Sequence, residues 1–122
     1  MAPNLEDLDA WQLANDVRER ILVLIARPAV KRDLDFCDQS LRAARSACRN
    51  IAEGLGRFGN KEGAHFVSVA IGSLKELRDS AHEALQRQFV TKEEHATLLG
   101  AIHRAGRCAG GFRRYLKSQE PK

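Results

Sequence analysis

Apolar residues recur along this 122-residue chain in alternating steps of three and four, a spacing that a helix alone places on one side. Ala10, Ala14, Val17, Ile21 and Leu24 form a first stripe, and Cys37, Leu41, Ala44, Cys48, Ile51 and Leu55 a second. Val67, Ala70, Leu74, Leu77, Ala81 and Ala84 form a third, and His95, Leu98, Ile102, Ala105, Ala109, Phe112 and Leu116 a fourth. A mean step of about 3.5 residues drifts around a straight helix, and it stays in register only when helices wind about one another with a left hand. Four such stripes, with no internal repeat and no strand-like alternation, predict an all-α fold: an antiparallel up-down-up-down four-helix bundle with a left-handed twist.

The stops between the stripes set the boundaries. Pro28 in "ARPAVKRD" ends the first helix, and Asp33 or Asp35 is placed to cap the second. "GLGRFGN" separates the second from the third, with Asn60 as its N-cap. Thr91, followed three residues later by Glu94, reads as a capping box for the fourth. The expected helices are 6–26, 35–55, 60–88 and 92–117, in one domain spanning 1–122. Alanine lines much of the seams, while Trp11, Leu22, Phe36, Phe58, Phe66 and Phe89 fall off them or at their edges. Large side chains left outside a thin core predict a second buried surface, hence a homo-oligomer.

No run reaches the roughly 18 apolar residues of a membrane span, and the opening "MAPNLEDLDAW" is acidic where a signal peptide is basic and then apolar. A cytoplasmic location with no membrane contact is expected. Cys37, Cys48 and Cys108 are odd in number and lack CxxC spacing, so they read as small core residues rather than a disulfide or zinc framework.

Charge is unevenly laid out within a total of +4. Residues 1–41 carry a net −3, 42–61 a net +4, 62–100 a net −2 and 101–122 a net +5. The two basic blocks fall on helices. Turned at 100° per residue, Arg42, Arg45, Arg49, Glu53 and Arg57 form a row nearly opposite the second stripe. On the fourth segment Arg104, Arg107 and Arg114 lie within about 80° of one another, with Lys117 nearby. Arginine forks in rows suit phosphate oxygens, so RNA or DNA backbone is the expected ligand. Asn50 sits on the flank of the second helix, where it can meet a neighbour, and Glu53 can pair with Arg49 or Arg57. Gly54 and Gly56 supply freedom for that helix to end and turn.

The stretch "SACRNIAEGLGR", followed by "KEGAHF" and "AIGSLKEL", resembles the bacterial four-helix-bundle proteins of the 23S rRNA intervening-sequence family. The matching positions include Ser46, Asn50, Glu53, Gly54, Gly56, Arg57, Glu62, Ser73 and Glu76, and "LDAWQLAND" is similar to the family's opening helix. Cys48 stands where the family usually has proline, which implies a straighter second helix here. The resemblance implies a cytoplasmic bundle assembling into a ring, typically a pentamer, with no known catalytic activity and no cofactor. A more distant group with a similar bundle serves a retroelement reverse transcriptase as an accessory protein, holding nucleic acid and enzyme on a basic pentamer surface. By that likeness Asn50, Glu53, Gly54, Gly56, Glu62, Ser73 and Glu76 are motif or interface positions, and a partner protein is implied.

Enzymatic readings find little support in the residues. Glu62 with His65 and Asp79 with His82 are spaced three apart, as in di-iron bundles, but both pairs fall on the third helix, whereas such centres draw on all four. His95, at the start of the fourth stripe, reads as a buried-edge histidine rather than a general base, and His65, His82 and His103 have no nucleophile or carboxylate at triad spacing. The expectation is a non-catalytic homo-oligomer binding nucleic-acid backbone through Arg42, Arg45, Arg49, Arg57, Arg104, Arg107, Arg114 and Lys117. The alternatives are a protein-interaction or self-assembly module and, more remotely, a di-iron carboxylate protein.

Overall fold

The computed structural model describes residues 4–59 and 61–120, and among these every regular element is helical. A 3-10 turn, Leu5–Asp7, leads into α1 (Asp9–Ile25); a one-turn helix α2 (Pro28–Lys31) follows; α3 (Leu34–Gly56), α4 (Gly63–Gln86) and α5 (Lys92–Ser118) complete the chain. Four helices are therefore long and one is short. Asn60, expected to cap α4, lies outside the described residues.

The first expected helix is interrupted because Leu8 adopts an extended conformation, φ −80° and ψ 116°, between the 3-10 turn and α1. Pro28 does not merely end a helix; it starts one, occupying the first turn of α2, where its missing N–H costs nothing. Asp33 caps α3 by accepting from the Phe36 N–H at 3.0 Å. Thr91 and Glu94 form the full capping box of α5, with the Glu94 N–H on Thr91 Oγ1 at 3.1 Å and the Thr91 N–H on Glu94 Oε1 at 2.9 Å. α3 runs unbroken through Cys48.

α4 ends two residues before its expected limit, and its hydrogen bonds show why. Gln88 takes φ 59°, its N–H reaches Leu85 O at 3.1 Å, and the Phe89 N–H reaches back to Ala84 O at 2.8 Å. This is a Schellman closure with glutamine in the position glycine usually fills. The closure turns Phe89 inward, where its ring meets Phe36 edge-on at 5.2 Å.

α3 packs on α4, α4 on α5, and α1 on both α3 and α5, so each long helix has two long neighbours. Partners at successive heights pair α3 with α4: Asp33 with Arg87, Ser46 with Ser73, and Gly54 with Gly63. The interior divides into two apolar clusters. One gathers Val17, Ile21, Leu24, Val30 and Phe36 with Leu74, Leu77 and Ile102. The other gathers Ala10, Ala14, Cys48, Ile51 and Leu55 with Val67, Phe112 and Leu116.

The stripes of α1 and α4 are buried as read, and that of α5 is buried from Leu98 onward with His95 half-exposed. α3 departs from its stripe. Cys37 and Leu41 are only half-buried, whereas Phe36, Ser40, Ala43, Ala47 and Gly54 join the interior. Contact with α1 on one side and α4 on the other widens its buried face beyond a two-residue seam. The large off-seam residues are largely accommodated within the chain. Phe36 is core, Phe89 packs against one cluster, and Trp11 and Phe58 pack against the other. Leu22 remains outside at 43 % exposure, joined by Val23, Leu34, Val69 and Tyr115. The apolar surplus is thus smaller than the sequence suggested, with Leu22 and its neighbour Val23 still facing outward on α1. Among the described residues no helix is long and apolar enough to cross a membrane.

Candidate nucleic-acid interface

The arginine row of α3 divides by how each guanidinium is used. Arg42 reaches one turn back to Asp38 at 2.7 Å. Arg45 and Arg49 are exposed and hold no acid or hydrogen-bond partner among the described residues. Arg57 is half-buried and held from several sides: Nη1 lies 3.3 Å from Glu62 Oε1, Nε lies 3.6 Å from Glu53 Oε2, and the guanidinium sits 4.8 Å over the Phe66 ring. Its Nε is buried without a hydrogen bond, because 3.6 Å is ion-pair range and too long for one. Arg57 therefore braces the α3–α4 corner.

On α5 Arg104, Arg107, Arg114 and Lys117 are all exposed and without acid partners among the described residues. Arg113, next in sequence to Arg114, instead donates to Ser68 Oγ of α4 at 3.2 Å. The rows of α3 and α5 are not brought together. Arg42 lines a groove between α3 and α4 with Gln39, Ser46, Val69, Gly72 and Glu76, about 550 Å³ in volume. Arg107 lines a different groove, between α4 and α5, of about 300 Å³. α4 stands between them.

That second groove contains residues the sequence reading passed over. Lys75 and Arg78, one turn apart on α4, join His103 and Arg107 of α5 around Ile71, Leu74, Ile102 and Gly106. The signal available was a cationic i, i+3 pair on one flank of α4. Counting charge by segment concealed it, since residues 62–100 are net acidic. A third groove, between α1 and α5, has about 460 Å³ and is acidic on balance, lined by Asp16, Glu19, Glu93 and Glu94 together with Arg20 and Arg27.

The family-motif residues divide into separate jobs. Asn50 Nδ2 donates to Ser46 O at 2.9 Å and Ser46 Oγ at 3.1 Å, and Ser46 Oγ lies 2.7 Å from Ser73 Oγ on α4. The flank position read for Asn50 thus leads to a hydrogen-bonded link between α3 and α4. Gly54 is interior, and a β-carbon there would fall 2.6 Å from Val67 Cγ2 and 3.0 Å from Gly63 O. It permits close helix contact and does not serve termination. Gly56 has open space around it and no positive φ; the turn is made by Gly59 at φ 81°. Glu76 is exposed along the α3–α4 groove.

The opposite end of the molecule is held by charge. Arg27, at the foot of α2, donates to Phe89 O at 3.0 Å and grips Glu94 with both terminal nitrogens. The Arg27 fork, followed by the Thr91 N–H, holds the Glu94 carboxyl at about 2, and the same bond raises Arg27. The Phe36 N–H, aided by Arg87, lowers Asp33. Burial pushes the thiols of Cys37, Cys48 and Cys108 up, and all three are free. His82 Nδ1 and His95 Nε2 face each other at 3.1 Å, one donating and the other accepting. Among the described residues no three His, Cys, Asp or Glu side chains converge to hold a metal.

A search among curated proteins finds no match. The family model for the 23S rRNA-intervening sequence protein matches residues 6–110, which takes in α1 through most of α5 and every motif position described above. With the Ser46–Asn50–Ser73 link, the Gly54 crossing and the Arg57 corner all inside that match, the chain belongs to the 23S rRNA-intervening sequence protein family.

Proposed function

We propose that this protein is a non-catalytic, homo-oligomeric bundle whose unpaired arginines hold the backbone of RNA or DNA, as a scaffold or accessory for a partner protein. In this reading the long helices run antiparallel, up-down-up-down with a left-handed twist, and copies close into a ring, five by likeness to the family. One observation carries it. Arg20, Arg27, Arg42, Arg57 and Arg87 each hold a carboxylate, whereas Arg45, Arg49, Arg104, Arg107, Arg114 and Lys117 face outward with none among the described residues. Guanidinium groups left without acids are available to phosphate oxygens, and releasing the counterions of the polyanion makes that contact favourable. Outward-facing Leu22 and Val23 on α1 offer apolar area for a neighbouring copy. A ring would repeat each basic face around its rim and raise avidity without new contacts.

Filter binding of mixed-sequence RNA and DNA across a salt series tests the reading. Affinity is expected to fall steeply with salt, and each phosphate contact removed by charge reversal at Arg45, Arg49, Arg104 or Arg107 should lower the log–log slope by about 1. Absence of binding at low salt would overturn the nucleic-acid role, and a monomer by light scattering would overturn the ring.

A further inference from the structure

The groove between α4 and α5 differs from the other two in pairing an apolar floor with a rim that carries three cations, Lys75, Arg78 and Arg107, and no carboxylate. Ile71, Leu74 and Ile102 line its floor, and Gly106 leaves one side open, with no atom within 4 Å of where its β-carbon would stand. Lys75, Arg78, His103 and Arg107 surround it, and no carboxylate lines it; Asp79 lies in the adjoining depression. A phosphate backbone alone would not call for a floor of aliphatic side chains. The α1–α5 groove, larger and also apolar at Leu24, Val90 and Leu98, carries four acids against Arg20 and Arg27, which are already paired with Asp16 and Glu94, and the α3–α4 groove carries Glu76.

The geometry points to this groove as the seat of one unstacked base from a single-stranded nucleic acid, with its own phosphate on Lys75, Arg78 and Arg107. The inference rests on the nucleic-acid reading above and adds a strand preference to it. A volume of about 300 Å³ matches the low end of small-ligand pockets and so a single nucleotide, rather than a folded segment of protein. Bases freed from a duplex lie on apolar side chains and guanidinium planes, and Arg78 and Arg107 provide such planes at the rim. Arg114, two turns beyond Arg107 and about 10 Å further along α5, is exposed to take a neighbouring phosphate. A base paired and stacked inside a duplex cannot enter.

The test compares fluorescein-labelled oligo-deoxythymidylate, the same strand with abasic residues, and a duplex of equal length, by anisotropy at fixed salt. The intact single strand is expected to bind about tenfold tighter than either competitor. Gly106→Leu fills the groove from an unobstructed helix position without touching a charge, and replacing a helical glycine should leave the fold at least as stable. It should bring the intact strand down to the abasic one while leaving the salt slope unchanged. Lys75→Glu with Arg78→Glu should weaken all three strands and lower that slope. Equal affinity for intact, abasic and duplex DNA would overturn the base seat and leave backbone binding standing, whereas no binding of any strand would overturn both. A change of oligomeric mass in Gly106→Leu would give the groove to a second copy of the chain and likewise overturn the proposal.

Discussion

Gly54 on α3 and Gly63 on α4 exclude each other's side chains: a β-carbon on either would stand 3.0 Å from the other's carbonyl oxygen. The two helices thus meet backbone to backbone where the chain leaves one and enters the other. Gly54→Ala adds a clash with Val67 Cγ2 at 2.6 Å and is expected to cost about 2–3 kcal/mol by denaturant titration. Gly56→Ala, two residues away in open space, should be neutral or stabilise by up to about 1 kcal/mol. Equal effects of the two would show that helix crossing is not what Gly54 serves.

The Arg27–Glu94 contact should make stability depend on acid. The Glu94 carboxyl titrates at about 2 in the folded protein, against about 4.3 in an unfolded chain, so folding favours its charged form. Its contribution is full above the unfolded value, declines as pH falls from there, and is gone below about 2. Glu94→Gln should therefore lower the thermal midpoint at neutral pH, with the gap to the parent protein narrowing through this window. Asp33, held low by the Phe36 N–H and Arg87, adds to the same acid limb.

Ser40 is fully buried on α3, and its hydroxyl finds no hydrogen-bond partner. Removing an unsatisfied buried hydroxyl recovers its desolvation penalty, so Ser40→Ala is expected to raise stability by about 1 kcal/mol. A loss instead would reveal a partner for that oxygen.

Ser46 and Ser73 lie 2.7 Å apart across α3 and α4, with Asn50 donating to the former. Either alanine variant should cost about 1 kcal/mol, and the double variant less than the sum of the two. Strict additivity in this cycle would show that the three side chains do not act as a unit.

How far the sequence could be read follows from what each feature depends on. α1 and α4 were legible because one flank of alternating threes and fours was buried as a single stripe, and the α5 start was legible because its capping box is local chemistry. The wide burial of α3 depends on having neighbours on both sides, which its own periodicity does not record. Gly54 is ambiguous for a related reason: a glycine near a helix end reads as a terminator until the opposing Gly63 carbonyl is in place. The α3 and α5 arginines were legible as rows. Lys75 and Arg78 were not, since their relevance arises from Arg107 and His103 on the facing helix.

Because α4 stands between the two arginine-bearing flanks, one protomer offers two separate tracks about a helix width, or roughly 10 Å, apart. Under the proposed nucleic-acid role, a short oligonucleotide would settle on one track and leave the other vacant. A longer one would pass over the crest of α4 or, in the proposed ring, continue onto an adjacent subunit. Measured stoichiometry is then expected to step with ligand length, and the length at which it steps would tell the crest path from the path between subunits.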